Sequence, residues 1–327
     1  MRRFSFSSVP SLFERSRRRA LATAGVVGVA SLALAGVGSS ASTSASASTA
    51  KAFPITVTAA NGSVRFASKP RRIISLSPTA TDMLFAIGAG SQVIAVDSDS
   101  TYPKGAPVTS LSGLAPNVEA IATRNPDLVV ISYAPSGLLP ELAKLKIPVL
   151  EEPAASSLTD SYGQITALGR ATGHSPNASD LVASMRSKIA TYVTSAPKPA
   201  QPRTYYYELD QTYYSVTSRS FIGSILSKFG LTNIADPKGS STAYPQLTAE
   251  YVVKRDPQII FLADTVCCGQ SKTTVAKRPG WSSIAAVKDH DVFALNDSVA
   301  SQWGPRVTGL VAAVNAALVS MHARTQP

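Results

Sequence analysis

The chain has 327 residues, with 31 Lys and Arg against 20 Asp and Glu, two cysteines and three histidines. This length suggests two domains or one large one, and an apolar share of 44% with 16% charged residues argues against wholesale disorder. Two cysteines exclude a scaffold of several disulfides, and three histidines argue against a metal site built from histidine, so we expect neither a bound metal nor a cofactor.

The net charge of +11 is not concentrated in the way that a nucleic-acid surface requires. Part of it belongs to the first 50 residues, and beyond them the only basic block is Lys69 to Arg72, which contains Pro70. A basic stripe interleaved with aromatic residues is absent from the sequence, so we expect no nucleic-acid partner.

Residues 1–50 have the composition of an export signal followed by a small-residue linker. Arginines at positions 2, 3, 15 and 17–19 precede an uncharged run over 20–37, and a segment rich in Ala, Ser and Thr follows to residue 50. This order is typical of a cleaved signal peptide, and residues 16–21 partly match a twin-arginine signal. An uncleaved membrane anchor is the alternative, because about 18 residues can just span a bilayer. No cysteine follows the apolar run, so we expect no lipid attachment there and an extracytoplasmic product.

From residue 72 onward, short runs rich in β-branched residues alternate with helical patterns. A buried strand is predicted at 73–76, and Ser77-Pro78 then gives an N-cap and N1 pair for a helix over 79–87. Further strands are predicted at 93–96, 127–131, 148–150, 204–209, 258–262 and 292–295, and further helices at 221–229 and 307–322. Strands that alternate with helices indicate parallel sheets flanked by helices.

Residues 175–195 interrupt this rhythm with one long helix. Leu181, Met185, Ile189 and Val193 recur every four positions after Ser175-Pro176, which we predict to be its N-cap and N1, and the proline-rich segment 197–202 ends it. Its length is about 30 Å at 1.5 Å per residue. The fold class predicted is α/β, with two Rossmann-like lobes of parallel-rich sheets joined by this helix. The predicted boundaries are 51–173 for the N-terminal lobe, 174–199 for the linker helix and 200–327 for the C-terminal lobe.

The sequence also contains an internal echo. Residues 117–130 and 248–260 each show a helix that begins near a glutamate, Glu119 or Glu250, and ends before an X-Pro step that leads into a buried strand. The two glutamates are 131 positions apart, about the length of one lobe.

Residues 71–82, 117–129 and 244–250 resemble, in order, segments of the class III solute-binding proteins of ABC importers for cobalamin and ferric siderophores. The likeness covers about residues 71–317. It implies a binding protein rather than an enzyme, a monomer that carries a small-molecule metal chelate or corrinoid between its lobes to an ABC permease. A ligand site at the carboxyl edges of both sheets agrees with the general rule for open α/β sheets.

The resemblance also implies roles for single residues. Glu119 and Glu250 match the exposed glutamates, one in each lobe, that dock on permease arginines; each is alternatively a first-turn carboxylate favoured by its helix dipole. Tyr102, Tyr133 and Tyr244 match aromatic positions that line the cleft, Trp303 falls in the corresponding loop, and Asp297 matches a pocket acid. Each aromatic residue is alternatively a lid over the core of its own lobe.

Three polar residues and a cysteine pair complete the candidate ligand site. Ser77 and Thr79 at a helix N-terminus suit an anionic group or act as helix caps, and Arg306 either clamps a carboxylate or catecholate oxygen or is a solvated residue at the start of the last helix. Cys267-Cys268 follows a predicted strand as either a vicinal disulfide that stiffens a cleft loop or two small buried thiols.

The sequence favours a ferric siderophore over a corrinoid, because tyrosines are mixed with Arg and Ser, and haem ranks third. Two other classes stay open. A sensing or adhesion module could use the same fold. An enzyme is disfavoured, because the sequence has no G-x-S-x-G, H-E-x-x-H or Walker motif.

Overall fold

The computed structural model describes residues 53–236 and 242–325. The predicted export signal and linker, residues 1–50, lie outside the described residues.

A β-hairpin that was not predicted precedes the first lobe. Strands β1 (Ile55–Ala59) and β2 (Gly62–Phe66) pair antiparallel around a two-residue turn. The turn is held in place by Asn61, whose side chain donates to the Val149 carbonyl at 2.9 Å and accepts from the Glu151 N–H at 3.0 Å. The hairpin is therefore fixed to the edge of the N-terminal sheet.

The N-terminal sheet has four parallel strands in the order β4-β3-β5-β6. Its strands are β3 (Ile73–Leu76), β4 (Val93–Val96), β5 (Leu128–Ile131) and β6 (Val149–Glu151). The helices of this half are α1 (Pro78–Ala86), α2 (Val118–Ala122), α3 (Leu138–Lys144) and α4 (Leu158–Thr172). As predicted, Ser77 is the N-cap of α1 and Pro78 is its first residue.

The long helix α5 (Ser175–Ser195) joins the two sheets and confirms the predicted span. The predicted cap is wrong by one residue. The N–H of Ala178 donates to the His174 carbonyl at 3.0 Å, so that the helical hydrogen bonds start one residue earlier and His174, not Ser175, is the N-cap. Met185 and Ile189 are buried on the side of α5 that packs on its neighbours.

The C-terminal sheet also has four parallel strands, in the order β10-β9-β7-β8. Its strands are β7 (Thr204–Glu208), β8 (Thr232–Asn233), β9 (Ile259–Leu262) and β10 (Val292–Ala294). The helices are α6 (Phe221–Leu226), α7 (Ala249–Arg255), α8 (Lys272–Ala276), α9 (Ala285–Lys288), α10 (Asp297–Ala300) and α11 (Val307–Thr325). The two sheets and the helix between them confirm the predicted fold class.

The two sheets have the same strand order when each is numbered from its own first strand. In both, the first strand lies between the second and the third, as in flavodoxin-like folds. The similarity extends to backbone conformation. Asn125, three residues after α2, and Asp256, directly after α7, are the X residues of the two X-Pro steps and have φ angles of 46° and 43°. The carboxyl ends of β3 and β5, and of β7 and β9, are therefore equivalent switch points where a ligand site is expected.

One apolar core runs through both halves, and each sheet has a second core on its other face. Alternate residues of β5 face opposite cores, Leu128 and Val130 one way and Val129 and Ile131 the other. The shared core includes the hairpin, α5 and α11. Helix α11 is long and apolar enough to cross a membrane by length and composition, but it packs on α5 and α6 with Leu310 and Val314 buried, as a core helix does.

Candidate ligand-binding site

Exposed apolar side chains are concentrated in the segments that run from the carboxyl end of a strand to the next helix. We call these the carboxyl-edge segments: 97–117 and 132–137 in the N-terminal half, and 209–220, 242–248 and 263–271 in the C-terminal half. Of nine large hydrophobic side chains exposed among the described residues, seven lie in them: Tyr102, Val108, Leu114, Tyr133, Tyr214, Tyr244 and Val266. Such a concentration of exposed apolar surface is typical of a binding groove rather than of ordinary surface.

Three of the predicted aromatic residues, Tyr102, Tyr133 and Tyr244, belong to this exposed set. They do not act as lids over the core of their own lobes, because about half of each side chain is exposed, 54% in the case of Tyr133. Partial burial raises the pKa of the Tyr244 hydroxyl, so this group stays protonated and can donate a hydrogen bond at neutral pH.

Arg306 is held at a junction between the two halves. Its Nε donates to Asp82 Oδ2 in α1 at 3.0 Å, its Nη1 and Nη2 donate to Ser298 and Gln302, and its guanidinium lies 4.0 Å from the Tyr102 ring centre. Burial raises the pKa of the Asp82 carboxyl, and the hydrogen bond and charge of Arg306 oppose that rise. The predicted ligand clamp is thus already engaged by protein groups.

Thr79 and Ser77 are buried at the same junction. A Cβ placed on Gly304 would come within 3.3 Å of the Thr79 methyl carbon, so the chain before α11 packs tightly on the N-terminus of α1. Ser77 accepts from the Ala80 N–H at 3.3 Å, as an N-cap does. In this structure both hydroxyl side chains lie beneath the surface.

Trp303 also contacts the N-terminal half. Its indole Nε1 donates to Gln164 Oε1 on α4 at 3.0 Å, and its carbonyl accepts from the Ser161 hydroxyl. At the other end of this stretch, the Ala300 carbonyl accepts from the Tyr207 hydroxyl at 3.0 Å. Residues 300–306 therefore form a strap between the halves, and Trp303 is half-buried within it.

Asp297 organises the segment that carries the two cysteines. Its carboxylate accepts from the N–H groups of Thr265, Val266 and Cys267 at 2.8–2.9 Å, and from the Thr265 hydroxyl. Burial alone would raise the pKa of Asp297, but the donors, led by the Cys267 N–H, bring it below its ordinary value. Asp297 is thus fully occupied with protein donors. In the structure the sulfur atoms of Cys267 and Cys268 are joined as a disulfide.

Buried carboxyl groups that the sequence analysis missed lie beneath the carboxyl edges. Glu208 forms a two-pronged ion pair with Arg278, with both N–O distances 2.6 Å, and Asp264 lies fully buried beside it. Burial, and then the negative charge of Glu208, raise the pKa of Asp264 to about 7. After β6, burial raises the pKa of Glu152 to about 8, and its Oε1 has no hydrogen-bond partner among the described residues. Both carboxyl groups come just after a strand, and this position is the one sequence signal that could have identified them.

Four exposed apolar residues of the edge were also missed: Val108, Leu114, Tyr214 and Val266. Tyr214 had a usable signal, because it lies after a buried strand, β7, as Tyr133 lies after β5. Among the described residues, no three His, Cys, Asp or Glu side chains are grouped as metal ligands.

Glu119 and Glu250 occupy equivalent places in the two halves. Each lies in the first turn of its helix, after a capping side chain, Asn117 or Thr248, that accepts from the N–H three residues on. Both carboxylates are exposed, and no ion pair involves either of them among the described residues. Two free carboxylates on separate lobes can receive cations from a partner.

Two similar sheets on a stiff helix, with an apolar rim at their carboxyl edges, define a two-lobed binding protein. The sequence model of the family described as periplasmic binding protein matches residues 73–299, and the chain belongs to this family. It is an extracytoplasmic solute-binding protein of the ABC-importer type, in a family of binding proteins and not of enzymes.

Relatives and a solved structure align with most of this chain. An ABC transporter substrate-binding lipoprotein of Bacillus subtilis, YvrC, is 30% identical and covers 79% of this chain and 83% of its own length. A cobalamin-binding protein of Halobacterium salinarum is 29% identical over 78% of this chain and 72% of its own. The crystal structure of the periplasmic vitamin B12-binding protein of Vibrio cholerae, 26% identical, matches with a TM-score of 0.64 over 79% of this chain and 99% of its own.

Proposed function

We propose that this protein captures a corrinoid, such as cobalamin, between its lobes outside the cytoplasmic membrane and delivers it to an ABC permease. The observation that carries the proposal is the confinement of seven exposed apolar side chains to the carboxyl-edge segments of both halves. Tyrosine rings and aliphatic groups suit the broad faces of a corrin macrocycle, and tyrosine hydroxyls suit the amides at its rim.

A corrinoid is preferred to a ferric siderophore because of where the charged residues lie. The expectation of a siderophore depended on Ser77 and Arg306 reaching an anionic chelate, but Ser77 is buried as a cap and Arg306 is paired with Asp82. Most exposed residues of the carboxyl-edge segments are uncharged, and the charged ones are Asp99, Lys104 and Arg219. Cobalamin-binding relatives at 28–29% identity support the same choice.

Delivery to a permease is supported by the exposed Glu119 and Glu250, one on each lobe and without partners in ion pairs among the described residues. Their equivalent positions suit a partner with two similar halves, because each carboxylate would meet the same kind of site. We propose that residues 1–50 direct the chain across the membrane.

Equilibrium dialysis of the mature chain tests the ligand. Cyanocobalamin, a ferric hydroxamate siderophore and haemin are offered separately, and the bound fraction is read from visible absorbance. We expect saturable binding of cyanocobalamin at one site per chain and at least tenfold weaker binding of the other two. Tight binding of the siderophore alone would replace corrinoid with iron chelate, and binding of none of the three would defeat the transport proposal.

A further inference from the structure

The segment 265–268 after β9 is an exposed apolar loop with a fixed backbone. Val266 is 75% exposed, and Cys267 beside it is exposed as well. Exposed loops that carry apolar side chains usually fold them over their own core or leave the backbone mobile. This segment does neither, and the reason lies in the hydrogen bonds at its two ends.

Asp297 holds the first end. Three consecutive N–H groups, those of Thr265, Val266 and Cys267, point at one carboxylate from 2.8–2.9 Å. Charge-assisted bonds of this kind are short and directional, so the backbone of all three residues is fixed. With their N–H groups turned inward to Asp297, the Val266 side chain is left on the outside.

Gln270 holds the second end. Its side-chain nitrogen donates to the Cys268 carbonyl at 3.3 Å, and its N–H donates to the Asp264 carbonyl at 3.3 Å. Its Oε1 accepts from Arg278 at 2.7 Å, and Arg278 is itself paired with the buried Glu208. The loop is therefore connected through Gln270 to the interior of the C-terminal half.

The position of the loop indicates that this rigid surface contacts the ligand. It follows β9, one of the two switch-point strands of its sheet, and it corresponds to the segment after β5 that carries the exposed Tyr133. A loop in this place faces the ligand site of an open α/β sheet. The disulfide adds soft, polarisable sulfur atoms to the apolar surface, and it replaces two thiols that would each have free rotamers.

We propose that Val266 and the Cys267–Cys268 disulfide form a preorganised apolar platform that contacts the ligand, and that opening the disulfide lowers ligand affinity. This rests on the proposed function, because it names the surface that the same ligand meets. Reduction adds two electrons and two protons and leaves two thiols; a water-soluble phosphine supplies the electrons and is itself oxidised to its oxide with an oxygen atom from water. The exported chain would keep the bond closed, since the compartment outside the cytoplasmic membrane is oxidising.

Thiol counting comes first in the test. The exported protein is denatured and alkylated with and without prior reduction, and its mass is measured. We expect no label without reductant and two labels after it. Two labels in the unreduced protein would overturn the proposal, because the platform would then consist of free thiols.

Affinity is then measured by dialysis against cyanocobalamin for four proteins without reductant present: the unmodified chain, the double variant Cys267→Ser/Cys268→Ser, Val266→Ser and the control Leu145→Ser. Leu145 is also an exposed aliphatic residue, at 50%, but it follows α3 at the amino edge of the N-terminal sheet. We expect the first two variants to bind on the order of fivefold more weakly and the control to bind as the unmodified chain does. A fifth sample, reduced and freed of phosphine under nitrogen, should match the double serine variant.

The outcomes separate the two proposals. If the unmodified chain binds no corrinoid, the proposed function fails. If it binds and neither Val266→Ser nor the double serine variant changes the affinity, the platform fails while the function stands. Thermal unfolding of each variant guards against misfolding, and Val266→Ser, at a surface position, keeps the test decisive even if the cysteine variant unfolds.

Discussion

Arg306 of the C-terminal half and Asp82 of the N-terminal half form an ion pair, with Nε 3.0 Å from Oδ2, and only 4% of the Asp82 side chain is exposed. The pair lies where the strap 300–306 crosses to α1, and the same guanidinium covers the Tyr102 ring. A residue expected to hold a ligand thus connects the lobes, and it also supports one of the tyrosines proposed to touch the ligand.

Replacement of Arg306 by Gln should lower the free energy of unfolding by roughly 2 to 4 kcal/mol at pH 7.5, because it leaves the Asp82 carboxylate buried without its partner. At pH 5 the loss should be smaller, since Asp82, whose pKa burial already raises, can then take up a proton. Urea unfolding at both pH values measures this. Adding Asp82→Asn should recover part of the loss, whereas Arg65→Gln, at an exposed position of β2, should change stability by less than about 0.5 kcal/mol. Equal effects of Arg306→Gln and Arg65→Gln would show that the ion pair contributes nothing.

Reversing both docking charges, in Glu119→Arg/Glu250→Arg, should abolish uptake of labelled ligand by cells while the dissociation constant of the purified protein stays within about twofold. Each single reversal should leave partial uptake, because one carboxylate remains. Glu141→Arg, at an exposed first-turn position of α3, is the matched control and should transport normally. Weakened ligand binding in the double variant would instead make these glutamates structural.

Asp264 predicts a pH dependence of stability. Its pKa is raised to about 7 in the folded chain, so the folded state keeps a proton that the unfolded state releases near pH 4. Its contribution to stability is therefore fully present below about pH 4 and is lost as pH rises to about 7 and above. Asp264→Asn mimics the protonated group. The free energy of unfolding that it adds to the unmodified chain should be larger at pH 8 than at pH 5, by on the order of 2 kcal/mol.

Thermal or urea unfolding between pH 5 and 8 measures the Asp264 effect, with Asp180→Asn on the exposed side of α5 as the control. If the two variants have parallel pH profiles, then Asp264 titrates normally and the buried pair with Glu208 does not shift it.

Tyr133→Ala should weaken cyanocobalamin binding about tenfold, because a half-exposed ring that stacks on a ligand is the kind of group whose truncation costs more than 1 kcal/mol. Tyr133→Phe, which keeps the ring, should lose less than threefold. Calorimetric titration measures both constants. If Tyr133→Phe weakens binding more than threefold, the hydroxyl is the main anchor. If Tyr133→Ala does not weaken binding, Tyr133 is not part of the site.

Regular elements were predictable from the sequence where the pattern was local. Strand 73–76, strand 93–96 and helix 175–195 were predicted at their observed bounds, because β-branched runs and a four-residue repeat decide those states locally. The hairpin was missed even though Asn61-Gly62 marks its turn, with Gly62 at a φ of +103°. Residues 51–72 were placed in the N-terminal lobe, but no element was predicted in them.

The partners of side chains were not predictable in the same way. Thr79, Arg306 and Asp297 have the right chemistry for a ligand, but in the structure their contacts go to residues elsewhere in the fold, such as Asp82 for Arg306 and the 265–267 backbone for Asp297. These contacts join residues far apart in the chain, and sequence periodicity carries no information about them. The exposed tyrosines were easier, because a loop after a buried strand already indicates the edge of the sheet.

The core shared by both halves has a consequence for how the molecule folds. Met185 and Ile189 of α5 lie in the same apolar cluster as Val57 of the hairpin and Val314 of α11, so neither half has an interior of its own that is complete. A chain cut near residue 200 would give two fragments that each expose apolar core surface, rather than two independently folded domains. The two lobes therefore have separate sheets but must fold together.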